Sequence, residues 1–128
     1  MIEPASAEKV SALPLARPAQ TIHCANCSLL VTRPGQAIAI AGSHQRTFRN
    51  PAAYSFHVLC FSQAEGCVVR GSHTTTDTWF PGTAWALAFC SCCEQHLGWH
   101  YLQTSGEPPF FGLIAPRLVG WKPIGETL

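Results

Sequence analysis

The sequence predicts a mostly β domain, on three observations. Ten Pro and ten Gly interrupt a chain of 128 residues, so no stretch sustains a long helical period. Between these breakers lie short apolar runs, such as 54–61 and 84–89, of the length and pattern of strands. Two Cys-x-x-Cys pairs, Cys24/Cys27 and Cys90/Cys93, each mark a tight turn that brings two thiols together.

A hydrophobic content of 47% in 128 residues suits one domain with a modest core. Only 12% of residues are charged and the formal net charge is +1. Neither nucleic acid nor an anionic membrane is an expected partner, since both call for clustered Lys and Arg. No apolar run reaches the ~18 residues of a membrane span. Residues 1–20 lack a basic start followed by an apolar core, so they do not read as a secretory signal. The expectations are a flexible leader over 1–20, a folded domain over 21–119, a tail over 120–128, and a cytoplasmic protein whose cysteines stay reduced.

Taken in order, Thr21–His23 reads as a strand into the first cysteine pair, continued by Leu29–Thr32 and ended by the Arg33-Pro34-Gly35 turn. The near-alternation of 36–41 predicts a strand, and 42–51 a loop holding His44, Arg46 and Arg49. Tyr54–Phe61 is the next strand, with Tyr54, Phe56 and Val58 on one face and Leu59 and Phe61 on the other. Cys67–Arg70 is a short strand ended by Gly71, followed by a polar loop over 73–78. Phe80-Pro81-Gly82 makes a tight turn. Ala84–Phe89 and Leu97–Gln103 are strands, Gly98 marking a bulge, and Phe110–Ile114 closes the core.

Two Cys-x-x-Cys turns together supply four thiolates, the tetrahedral shell of a structural zinc. Cys24, Cys27, Cys90 and Cys93 are therefore the expected ligands of one zinc ion with no open coordination position. Cys92 competes for the last place at a poorer spacing, and His23 and His96 are weaker substitutes. Cys60 and Cys67 read as buried thiols.

Trp79, Trp85 and Trp99 fall within 23 residues, interleaved with the second cysteine pair. Trp99 and Tyr101 are two apart on a strand and share a face, and the Phe80-Pro81-Gly82 turn can return Trp79 and Trp85 toward it. The result is a three-tryptophan box with a tyrosine hydroxyl at one edge. Such a box attracts a quaternary ammonium through cation–π forces, or encloses a small apolar ring whose polar edge meets backbone groups. The residues alone leave both open.

At these positions the sequence resembles the CULT domain, the thalidomide-binding domain family of cereblon, in its bacterial single-domain form. The motif is Trp79-Phe80-Pro81-Gly82-x-Ala84-Trp85, then Cys90-x-x-Cys93, then His96-Leu97-Gly98-Trp99 and Tyr101. Cys24-x-x-Cys27, Asn50-Pro51 and Phe111-Gly112-Leu113 extend it, so that it covers about 21–119. The resemblance implies a β-tent of two antiparallel sheets on one structural Zn2+. It also implies a non-enzymatic pocket in which Trp79, Trp85 and Trp99 wall a glutarimide or similar cyclic imide. Uridine-like rings and C-terminal cyclic imides of proteins are other ligands that it suggests. The imide N–H would meet the Asp77 carbonyl and an imide carbonyl the Trp79 N–H, with Asn50 and Pro51 bordering the pocket and Tyr101 at its edge. Phe56 is placed in the lining by strand alternation.

The chain departs from that family pattern at Ala52-Ala53, at Thr83, at Tyr101, and at Asp77, where ring substituents would meet a carboxylate. The Lon-like domain and helical adaptor-docking region of vertebrate cereblon do not fit in 128 residues, so no ubiquitin-ligase adaptor is expected on this chain. Two other functions compete: a methyl-ammonium reader using the same box, and an enzyme like methionine sulfoxide reductase B. The second needs a reactive thiol from Cys60, Cys67 or Cys92, and lacks its Arg-x-Cys-x-Asn type of segment after Tyr101. His44, His57, His73 and His100 read as ordinary surface or loop histidines.

Overall fold

A computed structural model describes residues 20–120 of the chain. The expected leader over 1–20 and the tail over 120–128 lie outside these residues except for Gln20 and Gly120. Nine strands alternate with turns: β1 (Ile22–Cys24), β2 (Leu30–Thr32), β3 (Gln45–Arg49), β4 (Ser55–Phe61), β5 (Cys67–Thr74), β6 (Thr83–Cys90), β7 (His96–Gln103), β8 (Phe110–Ile114) and β9 (Leu118–Val119). They form two antiparallel sheets, in the orders β2-β1-β9 and β3-β4-β8-β7-β6-β5. The mostly β expectation with two antiparallel sheets is met. No helix among the described residues is long and apolar enough to cross a membrane.

Strand alternation divides the core in two. On β4, Leu59 and Phe61 join a cluster with Ile22, Val31, Leu97, Leu113 and Leu118, which ties the small sheet to the large one. Cys60, between them, belongs instead to an aromatic cluster with Phe80, Tyr101 and Phe110, against which Phe48, Trp79, Trp85 and Trp99 pack. Adjacent residues of a strand point to opposite faces, so one strand serves both clusters.

Three expectations change. Residues 36–41 form no strand: Pro34–Gln36 is a 3-10 turn, and Ala37 and Ile40 make only isolated bridges. The strand is instead β3, inside the segment read as a loop, where Phe48 pairs with Phe56 in register. Gln45, Thr47 and Arg49 are the exposed alternates of β3, which disguise an edge strand as a loop. Likewise β5 runs through Gly71 to Thr74, because an edge strand tolerates the positive φ of Gly71 as an irregularity.

The expected bulge at Gly98 is present. Ala88 pairs with Gly98 and Phe89 with His96, so Leu97 is the extra residue. A Cβ on Gly98 would lie 2.1 Å from the Gly112 carbonyl oxygen, a separation that only glycine avoids. Gly82 has a second requirement. Thr83 N–H donates to the Phe80 carbonyl at 3.1 Å, with Pro81 second and Gly82 third at φ +79°, a type II turn by residue choice.

Candidate zinc centre and aromatic cavity

The two cysteine turns are built alike. Ser28 N–H donates to the Cys24 carbonyl at 2.8 Å and Glu94 N–H to the Cys90 carbonyl at 3.0 Å. In return, Cys24 N–H reaches the Leu29 carbonyl at 2.9 Å and Cys90 N–H the Gln95 carbonyl at 2.8 Å. The residue after each second cysteine, Ser28 or Glu94, is left-handed, at φ +71° and +66°. The same hydrogen bonds in both turns aim both pairs of sulfurs at one point.

All four sulfurs lie within 4.8 Å of one another, with Cys24 Sγ 3.7 Å from Cys93 Sγ and Cys27 Sγ 3.5 Å from Cys90 Sγ. A tetrahedron with Zn–S bonds of ~2.3 Å has edges of ~3.8 Å, so the cluster fits zinc. The Asn26 side chain and the Gln95 backbone hold the Cys93 thiol down to about 6, whereas burial raises Cys24. Four thiols this close favour deprotonation onto a cation over remaining neutral together. Cys92 is exposed and outside the cluster, and the half-buried His23 and His96 lie outside it too.

Beside the aromatic cluster lies a cavity of about 300 Å³ lined by Asn50, Pro51, Phe56, Asp77, Trp79, Trp85, His96, Trp99 and Tyr101. Its walls come from several elements. β6 and β7 place Trp85 opposite Tyr101, on the face that also carries Trp99. Trp79 meets Trp99 edge to face at 4.9 Å and stacks on Phe48 at 4.8 Å with the planes 4° apart. Phe56 completes the corner, 5.8 Å from Trp79 and 5.5 Å from Trp99. Trp85 Nε1 donates to the Thr76 carbonyl at 2.7 Å, which fixes this indole to the loop that carries Asp77 and Trp79. Ring pairs of this kind contribute ~0.5–1.5 kcal/mol beyond their buried area, and here several share the same rings.

The polar groups at the cavity divide into satisfied and free. Asn50 Oδ1 accepts from Tyr54 N–H at 2.9 Å, while its NH2 has no partner among the described residues. His96 Nε2–H donates to the Gly98 carbonyl at 2.9 Å and Nδ1 faces Arg117 Nη1 at 3.4 Å. Burial, with the Arg117 charge, lowers its pKa against the Gly98 bond, so the cavity wall is a neutral imidazole. Among the described residues, neither the Asp77 carbonyl nor the Trp79 N–H has a hydrogen-bond partner. Tyr101 is buried to 1% exposure between Phe80 and Phe110. Its ring packs in the core while the residue also lines the cavity, and its hydroxyl bonds to no described residue. Burial raises the Tyr101 pKa and that of Cys60, to about 11 for the latter, so both stay uncharged.

The family model described as Yippee zinc-binding/DNA-binding/Mis18, centromere assembly, matches residues 20–109. The chain belongs to this Yippee/Mis18 family. Its similar proteins include protein cereblon of Danio rerio, 34% identical over 80 residues, which are 60% of this chain and 19% of that protein. Protein cereblon of Xenopus tropicalis is 28% identical over 99 residues, 75% of this chain and 22% of that one, and that of Drosophila willistoni 44% over 60 residues, 44% and 10%. The chain thus spans under a quarter of the length of these relatives. Within the family it carries a cereblon-like domain of the CULT kind, whose four-cysteine cluster suits the zinc of Yippee domains.

In this CULT domain, the eight residues expected at the pocket all lie on the wall of one cavity, and the four expected ligand cysteines lie in one cluster. Sequence reading missed His96 as a lining residue. On a regular strand, residues three apart face opposite ways, so His96 and Trp99 would not meet. The Gly98 bulge reverses that parity, and their rings touch at 5.1 Å. It also missed Arg117, which donates to the His96 carbonyl at 2.8 Å, lies 6.0 Å over the Phe56 ring, and through its own carbonyl accepts from Ala25 N–H at 3.0 Å. One residue thereby joins the first cysteine turn to two cavity walls. His73 and His100 are not isolated surface histidines: their ring nitrogens meet at 2.9 Å.

Proposed function

We propose that this chain is a non-enzymatic binding module for cyclic imides, with one structural zinc held by Cys24, Cys27, Cys90 and Cys93. The observation that carries the reading is a cavity walled by three indoles and by Asp77 and Trp79, whose backbone carbonyl and N–H respectively have no partner among the described residues. A glutarimide has the complementary edge, an N–H between two carbonyls, and methylenes that indole faces can cover. Carbonyl Asp77 accepts from the imide N–H, and Trp79 N–H donates to an imide carbonyl. A guest lacking the imide N–H leaves the carbonyl unmatched, which costs ~1–3 kcal/mol. Uridine-like rings and C-terminal cyclic imides present the same edge.

Several features weigh against the alternatives. The thiol beside the aromatic cluster, Cys60, is fully buried and kept protonated, which disfavours methionine sulfoxide reduction. A methyl-ammonium reader is served by the indoles, but leaves the backbone pair without a role. A net charge of +1 gives no electrostatic footprint for the DNA binding in the family description. We therefore propose no nucleic-acid, membrane or ubiquitin-adaptor contact for this domain. The test is tryptophan fluorescence of the zinc-loaded chain during titration with glutarimide, repeated with trimethyl-lysine peptide as competitor. Saturable quenching that the peptide does not reverse supports the reading. No quenching, or full displacement by the peptide, overturns it.

A further inference from the structure

Asp77 is the one lining residue with a formal charge, in a wall otherwise made of six rings, a proline and an amide. Its backbone is held in place: Thr78 N–H closes a turn onto the Thr75 carbonyl at 3.3 Å, and the Trp85 indole donates to the Thr76 carbonyl at 2.7 Å. Asp77 itself is left-handed at φ +55°, a conformation that Asp and Asn tolerate better than other side-chain-bearing residues. Its carboxylate has no hydrogen bond or ion pair to any described residue. Two basic side chains that lie over rings of the cavity and its aromatic cluster have other partners. Arg117 is engaged with His96 behind the wall, and Arg46 donates to the Ala41 carbonyl and lies over Phe80. The exposed Asp77 side chain at an aromatic cavity thus carries an uncompensated negative charge, which Coulomb attraction makes available to a cation on the guest.

We propose that Asp77 selects, among cyclic imides, those whose ring carries a positively charged substituent, an ammonium or guanidinium group, beside an imide carbonyl. This inference rests on the imide reading above and names the guest more narrowly. The imide edge is held by backbone, and the substituent leaves the cage on the Asp77 side. A neutral guest gains nothing from the carboxylate. Two sources share this chemistry: a free aminoglutarimide, and a peptide whose C-terminal cyclic imide follows a lysine or arginine.

The test uses the full zinc-loaded chain and calorimetric titration near pH 6, which keeps an α-amine of ordinary pKa (~7.7–8.0) protonated. The probes are glutarimide, 3-aminopiperidine-2,6-dione, its N-acetyl derivative, and aminoglutarimide acylated with acetyl-lysine or acetyl-norleucine. The expected preference for the cationic member of a pair is about three- to tenfold at low salt, shrinking as salt is raised. In Asp77→Asn, which keeps the left-handed backbone, the affinity ratio within each pair falls to about one, and this ratio is the readout whatever the variant's affinity for glutarimide itself. A preference only for the free amine identifies a small-molecule guest, and one only for the lysyl compound a peptide guest. Either supports the proposal. Equal affinity for both members of both pairs, or a preference that survives Asp77→Asn, overturns it and leaves the imide reading standing. If glutarimide binds to neither protein, the imide reading fails and this inference fails with it.

Discussion

The two ends of the domain differ in how they use their polar groups. At the cysteine end, two turns with the same pair of backbone hydrogen bonds hold four sulfurs together, and a tetrahedral ion would complete the valence. At the aromatic end, the side chains are locked by ring contacts, but the Asp77 carbonyl and the Trp79 N–H have no partner among the described residues. Closure marks a foundation and unfilled valence marks a receptor. Arg117 connects them, its carbonyl on the first turn and its guanidinium on the cavity wall.

The largest effect should come from the closed end. Chelation of the metal, or Cys90→Ser, removes an apparent binding energy of ~10–16 kcal/mol that doubles as folding energy, against the ~5–15 kcal/mol stability of a typical domain. Circular dichroism should show loss of the cooperative thermal transition in either case. A transition unchanged by chelation would mean that the four thiols are a packed core and that the contrast between the ends is false.

Gly98→Ala tests the bulge that serves the open end. The added Cβ would meet the Gly112 carbonyl at 2.1 Å, so β7 and β8 must separate, at a cost of ~2–3 kcal/mol. Denaturant unfolding checks the cost, and the His96–Trp99 contact should loosen with it. Wild-type stability would show that the bulge is not fixed by this close approach.

Arg117→Ala probes the connection. Zinc stoichiometry should stay at one, because no cysteine is lost, while glutarimide affinity falls about three- to tenfold as His96 and Phe56 lose their brace. The loss of hydrogen bonds from a charged donor makes ~1.5–3 kcal/mol of destabilisation the expectation. Unchanged affinity would separate the two ends.

The smallest effect belongs to Ala53, which is left-handed at φ +72° in the hairpin loop that carries Asn50 and Pro51. A non-glycine residue there costs roughly 1–2 kcal/mol, and glycine returns part of that as chain entropy. Ala53→Gly should therefore stabilise the domain by ~0.5–1 kcal/mol and leave ligand affinity alone. Destabilisation would mean that the loop depends on the methyl group.

What the sequence made legible follows the same contrast. Paired cysteines and the Trp-Phe-Pro-Gly turn are local signals, since thiol spacing and proline-glycine geometry act within a few residues. The strands around them were readable for that reason. Unreadable were the features that depend on pairing partners. β3 looked like a loop because Gln45, Thr47 and Arg49 face solvent while Arg46 and Phe48 are half-buried. His96 joined the cavity only because the bulge changed its parity. Arg117 sits after a proline, and only the pairing of β9 with β1 brings it to the cysteine turn.

In the proposed binding mode a free backbone donor and acceptor, and not the indoles alone, define the guest. Calorimetric titration of the zinc-loaded chain with glutarimide and with N-methylglutarimide tests it most directly, since the pair differs at the imide nitrogen. Methylation is expected to weaken binding about five- to 150-fold, the loss when the guest covers the Asp77 carbonyl and leaves it unmatched at ~1–3 kcal/mol. Equal or tighter binding of the methylated compound would contradict it.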